Sequence, residues 1–192
     1  MSESKVPLLE HFRRLNDFGG REVRISFWPY AALVFGISQV LAMIAMLPFM
    51  AGMFSSMRTI EEMSRQQSSA NGQIEMPVPP EEIFPDFGSM MVGMCIAMAI
   101  TVYLYAAAVA RRLHDTGRSG WWGLMPVPFI AYSTVMMAQL FGNFGVREAP
   151  DLTIFFSVFL SNLLYMLALV ALVVLLALPS NPEENRYGPS NS

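Results

Sequence analysis

The segment Arg111-Arg112-Leu113-His114-Asp115-Thr116-Gly117-Arg118-Ser119-Gly120-Trp121-Trp122 gathers arginines, a histidine, an aspartate, glycines and a tryptophan pair between two long apolar runs. Three chemistries are open to such a set. The planar guanidinium group binds phosphate and carboxylate bidentately, so Arg111, Arg112 and Arg118 can hold an anionic lipid headgroup or a phosphorylated ligand. A carboxylate next to an imidazole can orient it as an acid or base, which gives His114 and Asp115 a catalytic reading. In the third reading the arginines fix topology, Asp115 pairs with one of them, and the glycines make a turn. If the preceding helix continues through the motif, Arg111, His114, Asp115 and Arg118 share one face at i, i+3, i+4 and i+7. Gly117 favours a helix end at that point, and Asp115-Thr116-Gly117 suits a turn.

Other chemistry finds little support. Gly117-Arg118-Ser119-Gly120 has the spacing of a serine-nucleophile loop, but an arginine adjoins the serine and no histidine lies in any later span. No catalytic residue is assigned. His11 and His114 are the only histidines and neither has a nearby ligand set, so no metal site is expected, and no cofactor. The single cysteine, Cys95, excludes an internal disulfide and a cysteine-based zinc site.

The elements that must position the motif are membrane spans. Of 192 residues, 54% are hydrophobic and 14% charged, whereas soluble domains carry about 25% charged residues. The fold class is therefore an all-α membrane protein with four transmembrane helices, at about 27–57, 89–110, 121–143 and 151–178, each able to cross a core that needs about 20 apolar residues. The first run is too long for a signal peptide. It exceeds the need of an upright helix, so it must tilt or project, and Pro48 is expected to bend it. Gly93, Ala97, Ala106 and Ala110 in the second run form small-xxx-small pairs that allow close helix approach. Gly123, Pro126 and Pro128 disturb the first turns of the third.

Around these spans lie an N-terminal segment 1–26, an acidic loop 58–88, the motif at 111–120 and a polar tail 179–192. In the first of these, Val6–Phe18 places Leu8, Leu9, Phe12 and Leu15 on one side and reads as an amphipathic helix lying on the membrane surface. Arg21 and Arg24 precede Phe27, Trp28 and Tyr30, the pattern of a span entering from the cytosolic headgroup layer. Trp28, Trp121 and Trp122 are candidate interface anchors.

Four spans put both termini on one side. With that side cytosolic, Lys5, Arg13, Arg14, Arg21, Arg24, Arg111, Arg112, Arg118 and Arg186 lie inside, against Arg58, Arg65 and Arg147 outside. The positive-inside rule makes both termini and the motif cytosolic. No Asp, Glu, Lys, Arg or His falls well inside a span, which disfavours a proton relay or ion-coupled carrier.

The central motif resembles the signature of the bacterial inner-membrane proteins of the domain-of-unknown-function family 805. Gly20-Arg21, Arg24 and Phe27-Trp28 are similar to that family's opening motif, and Asn185-Arg186-Tyr187-Gly188-Pro189 to its closing motif. The resemblance implies a small multi-pass protein of the inner (plasma) membrane and carries no established activity. With all three motifs cytosolic, Arg21, Arg24, Arg111, Arg112, His114, Asp115, Arg118, Asn185 and Arg186 are expected to converge on one surface. The function expected is non-enzymatic, with that surface binding anionic membrane lipids or a membrane or cytosolic protein partner. A subunit of a transporter or channel is the alternative. No nucleic-acid partner is expected.

Overall fold

The computed structural model describes residues 7–69, 87–142 and 152–189. Most of the acidic loop, the end of the third span and the loop with Arg147 lie outside them. Among the described residues five α-helices follow in order: α1 Leu8–Arg13, α2 Arg24–Ser69, α3 Phe87–Asp115, α4 Val127–Gly142 and α5 Leu152–Ala177, with a 3-10 helix Gly120–Leu124 between α3 and α4. Four stretches, Arg24–Arg65, Phe87–Asp115, Gly120–Leu140 and Leu152–Ala177, are long and apolar enough to cross a membrane. Large apolar side chains such as Phe35, Met43, Phe156 and Val170 point away from the protein over all of these faces, as they must when lipid rather than water surrounds the bundle.

The spans pack as two pairs. α2 lies along α3, and α4 along α5, with lighter contacts from α3 to both α4 and α5. Reciprocal tyrosines fix the antiparallel register of the first pair: Tyr30 donates to the Leu104 carbonyl and Tyr105 to the Ala31 carbonyl, both at 2.7 Å. Further along, a Cβ on Gly93 would lie 3.2 Å from the Ala45 Cβ, so this glycine lets the two backbones meet. The second pair is tied by polar side chains. Ser161 donates to the Phe129 carbonyl at 2.8 Å, and Asn162 to the Ser133 hydroxyl at 2.7 Å.

Among the described residues the best-buried apolar cluster is at one end, which we call the motif end. There Phe27, Tyr30, Ala31 and Val34 of α2 meet Ala108, Val109 and Leu113 of α3 and Leu172 and Leu176 of α5. It forms the floor beneath the polar motif. The far end is set by Phe49 and Phe87, whose rings are 5.2 Å apart.

One expectation needs revision, and two others take a specific form. The N-terminal helix covers only Leu8–Arg13 rather than Val6–Phe18; its His11 is buried, whereas Leu9 is exposed. The third span begins at Gly120, and its first turn is disturbed, as Gly123, Pro126 and Pro128 lead one to expect. The tryptophan pair lies there in the 3-10 helix, which Gly120 and Gly123 allow to press onto α3, where a Cβ would come within 2.9 Å of Ala110 and 2.8 Å of Val109. α4 then starts at Val127 with Pro128 in its first turn, where a missing N–H is harmless. As its long apolar run leads one to expect, α2 projects: it runs for 46 residues through both Pro29 and Pro48, about 69 Å at 1.5 Å per residue, and so outreaches a hydrocarbon core of about 30 Å.

Candidate functional site

Helix α3 does not carry the motif through to Arg118. It ends at Asp115, and Gly117 takes the left-handed conformation at φ 78°. The Arg118 N–H reaches the Leu113 carbonyl and the Gly117 N–H the His114 carbonyl, both at 2.9 Å. This is the paired closure of a glycine-capped helix end. It leaves Arg111, Arg112 and Asp115 in the last turn of α3, all buried, and removes Arg118 from their face.

The three sequence motifs meet here. Asp115 is 0% exposed; one carboxylate oxygen accepts from Arg21 Nε at 3.1 Å and the other from Arg112 Nη1 and the Ser180 hydroxyl. Arg21 continues to the tail, donating to the carbonyls of Asn181 and of Glu183, the latter at 2.9 Å. The tail returns a bond from the Asn181 N–H to the Asp115 carbonyl at 2.9 Å. Arg112 reaches α5, donating to the carbonyls of Leu176, at 2.9 Å, and Leu178. A helix C-terminus has unpaired carbonyls and carries partial negative charge, so Arg112 serves as the cap of α5.

A second centre adjoins the first. Arg111 Nε donates to Glu22 Oε2 at 2.9 Å, and its Nη1 to the Arg14 and Asp17 carbonyls at 3.0 and 2.5 Å. The other Glu22 oxygen is 2.6 Å from His11 Nε2, and the His11 ring stacks on Tyr30 at 4.5 Å. This pairing seats α1 on the bundle. Asp17 closes the following turn through Arg14 at 2.8 Å and the Gly19 N–H at 3.1 Å. The Arg14 hydrogen bond holds its carboxyl below the usual aspartate range.

The buried centres thus contain the guanidinium groups of Arg21, Arg111 and Arg112 against the carboxylates of Asp115 and Glu22. The surplus positive charge faces main-chain carbonyls of the α5 end, the tail and the N-terminal turn. Among the described residues no buried side-chain nitrogen or oxygen lacks a partner. Burying ions is costly unless every donor and acceptor is met, and here each one is. No group of three or more His, Cys, Asp or Glu gathers as a metal site among the described residues.

His114 belongs to neither centre. Asp115 does not orient it, which removes the acid–base pair read from adjacency in sequence. Its ring stacks on Tyr187 at 3.7 Å and 5°, its Nδ1 lies 3.3 Å from the Gly20 carbonyl, and its own carbonyl accepts from Asn185 Nδ2 at 3.0 Å. Arg186 sits 4.7 Å over the other partner in that stack, the Tyr187 ring. The structure therefore brings Arg21, Arg111, Arg112, His114, Asp115 and Asn185 together, with Arg186 at their edge. Arg24, exposed at the start of α2, makes no ion pair among the described residues, and Arg118 is half-buried with only a 3.5 Å contact to the Thr116 carbonyl. Trp28, Trp121 and Trp122 are all exposed.

Sequence reasoning missed Glu22, His11, Ser180 and Tyr187. One signal was present: Glu22 is the only acid between Arg21 and Arg24.

Four apolar helices long enough to span a bilayer, tied at one end by a buried ionic clasp, define a multi-pass α-helical membrane protein. Residues 15–189 match the family described as "Protein of unknown function (DUF805)". The match takes in all three motifs and most of the chain, and the chain belongs to that family. No curated protein and no solved structure matches it.

Proposed function

We propose that this chain is a non-enzymatic multi-pass protein of a bacterial inner membrane, with both termini cytosolic, whose motif end meets anionic lipid headgroups. The observation that supports this reading is a division of labour among the cations. Arg21, Arg111 and Arg112 are enclosed by Asp115, Glu22 and carbonyls, and so act as structure. Arg24 and Arg186 remain exposed, and Arg118 half so. Arg24 and exposed Trp28 are four residues apart on α2 and share a face, and Arg118 precedes exposed Trp121 and Trp122. Arginine with interfacial tryptophan suits a headgroup layer of phosphate over apolar tails.

The test is native mass spectrometry of the full chain released from bilayers that mix phosphatidylglycerol and phosphatidylcholine. Wild type is compared with the triple variant Arg24→Ala, Arg118→Ala, Arg186→Ala. Each basic residue near an anionic surface contributes about 1 kcal/mol, or roughly fivefold, so the variant should lose most of the retained phosphatidylglycerol and keep its fold. Equal retention by both proteins overturns the reading.

A further inference from the structure

The face of α2 turned away from α3 carries a feature that lipid does not satisfy. Buried Phe27, Val34 and Ala45 mark the face packed into the bundle. On the opposite face lie Ala32, Gly36, Gln39, Met43, Met46 and Met50, all exposed. Their spacing alternates between four and three residues, the seam of a helix that packs along another. Gln39 makes no hydrogen bond among the described residues. It follows Phe27 by about 18 Å of helix, close to the middle of a hydrocarbon core about 30 Å thick. Beside it Gly36 is open: a Cβ there would meet nothing within 4 Å.

We propose that two copies of this chain associate through α2, with the two Gln39 side chains hydrogen-bonded to each other at mid-depth. A side-chain amide has two donors and an acceptor, so it is complementary to itself across a two-fold axis, whereas acyl chains offer neither. Copies of one chain insert with the same orientation, so their α2 helices run parallel and residue 39 of each lies at the depth of the other. In a parallel pair, equivalent seam positions face one another. Gly36, one turn away, removes the side chain that would hold the backbones apart. The same seam continues beyond Phe49 and Phe87, where α2 outreaches the bilayer. Met57 and Ile60, more than half exposed there, are covered by the same partner helix. The Pro48 ring lies off the seam. This inference requires that α2 spans the membrane, and it is independent of the lipid reading above.

The experiment uses the full chain in bilayers of graded lipid-to-protein ratio, with energy transfer between donor- and acceptor-labelled copies reporting dimer. Wild type should show transfer that falls on lipid dilution with a defined dimerisation constant. Gln39→Leu, an apolar replacement at a lipid-facing position, should weaken that constant by about tenfold, and Gly36→Leu should do the same by steric separation. Helix content and monomer behaviour in detergent should be unchanged. In a Cys95→Ser background, Met43→Cys should form a disulfide dimer on oxidation, while Val170→Cys on exposed α5 should not. Random-collision transfer alone in wild type, or a constant unaffected by both Gln39→Leu and Gly36→Leu, overturns the proposal. The face is then covered by lipid or by a different protein.

Discussion

Asp115 lies between the guanidinium groups of Arg21 and Arg112, so replacing it strands two cations in a space that excludes water. Breaking one side of a buried ionic arrangement costs about 3–5 kcal/mol. Asp115→Ala should therefore lower the unfolding midpoint in detergent sharply and expose the tail beyond Leu178 to protease. Asp115→Asn keeps the shape and one acceptor oxygen, and should lose less. A midpoint unchanged in Asp115→Ala would show that the clasp contributes nothing to the fold. The convergence of Arg21, Arg112, His114, Asp115 and Asn185 was legible in sequence, because topology alone puts all three motifs at the same end. Their partners were not. Which carboxylate meets which arginine depends on side-chain directions that spacing does not encode. Asp115 pairs with Arg21, 94 residues distant in sequence, and not with its neighbour His114.

At the level of elements, the clasp depends on how α3 stops. Gly117 at φ 78° turns the chain, and Gly120 and Gly123 press the 3-10 helix onto Ala110 and Val109. A side chain in the left-handed region costs about 1–2 kcal/mol, and overpacking a close contact about 1–3 kcal/mol. Gly117→Ala and Gly120→Ala should each destabilise the protein by about those amounts, as measured by thermal unfolding in one detergent. Gly117→Asn should be milder, since asparagine tolerates that conformation. Gly120→Ala with wild-type stability would mean that the 3-10 helix is not packed as described. The spans themselves were readable, because an apolar run between charged segments leaves a chain few choices. The start of the third agrees with the span found at Gly120, but that its disturbed entry takes the form of a 3-10 turn was not legible, because hydropathy cannot distinguish such a turn from a helix. The glycine spacing held the relevant information, but only against residues 109 and 110.

Across the whole molecule, the helix ends make a geometric prediction about sidedness. α2 leaves the motif end and α3 returns to it, where α1, the clasp and the tail are gathered. Glu62, exposed on the part of α2 beyond Phe49, therefore lies on the other side of a bilayer from Glu184, exposed in the tail. The proposed orientation rests on the excess of arginine and lysine at the motif end. Of those arginines, Arg21, Arg111 and Arg112 are held by internal partners in the clasp, whereas Arg24 and Arg186 are exposed at the rim with Arg118 half so. Both groups must be kept from crossing during insertion, since the clasp pairs exist only once α2, α3 and α5 have met. Single cysteines at Glu62 and Glu184, each in a Cys95→Ser background, can be labelled with a membrane-impermeant maleimide. In intact inner-membrane spheroplasts Glu62→Cys should react and Glu184→Cys should not, and detergent should open both. The reverse pattern would keep the fold and the clasp but turn the protein over, placing the exposed arginine–tryptophan rim against the outer leaflet. Reaction of both in intact spheroplasts would contradict the antiparallel passage of α2 and α3, because no bilayer could then lie between the Phe49–Phe87 level and the clasp.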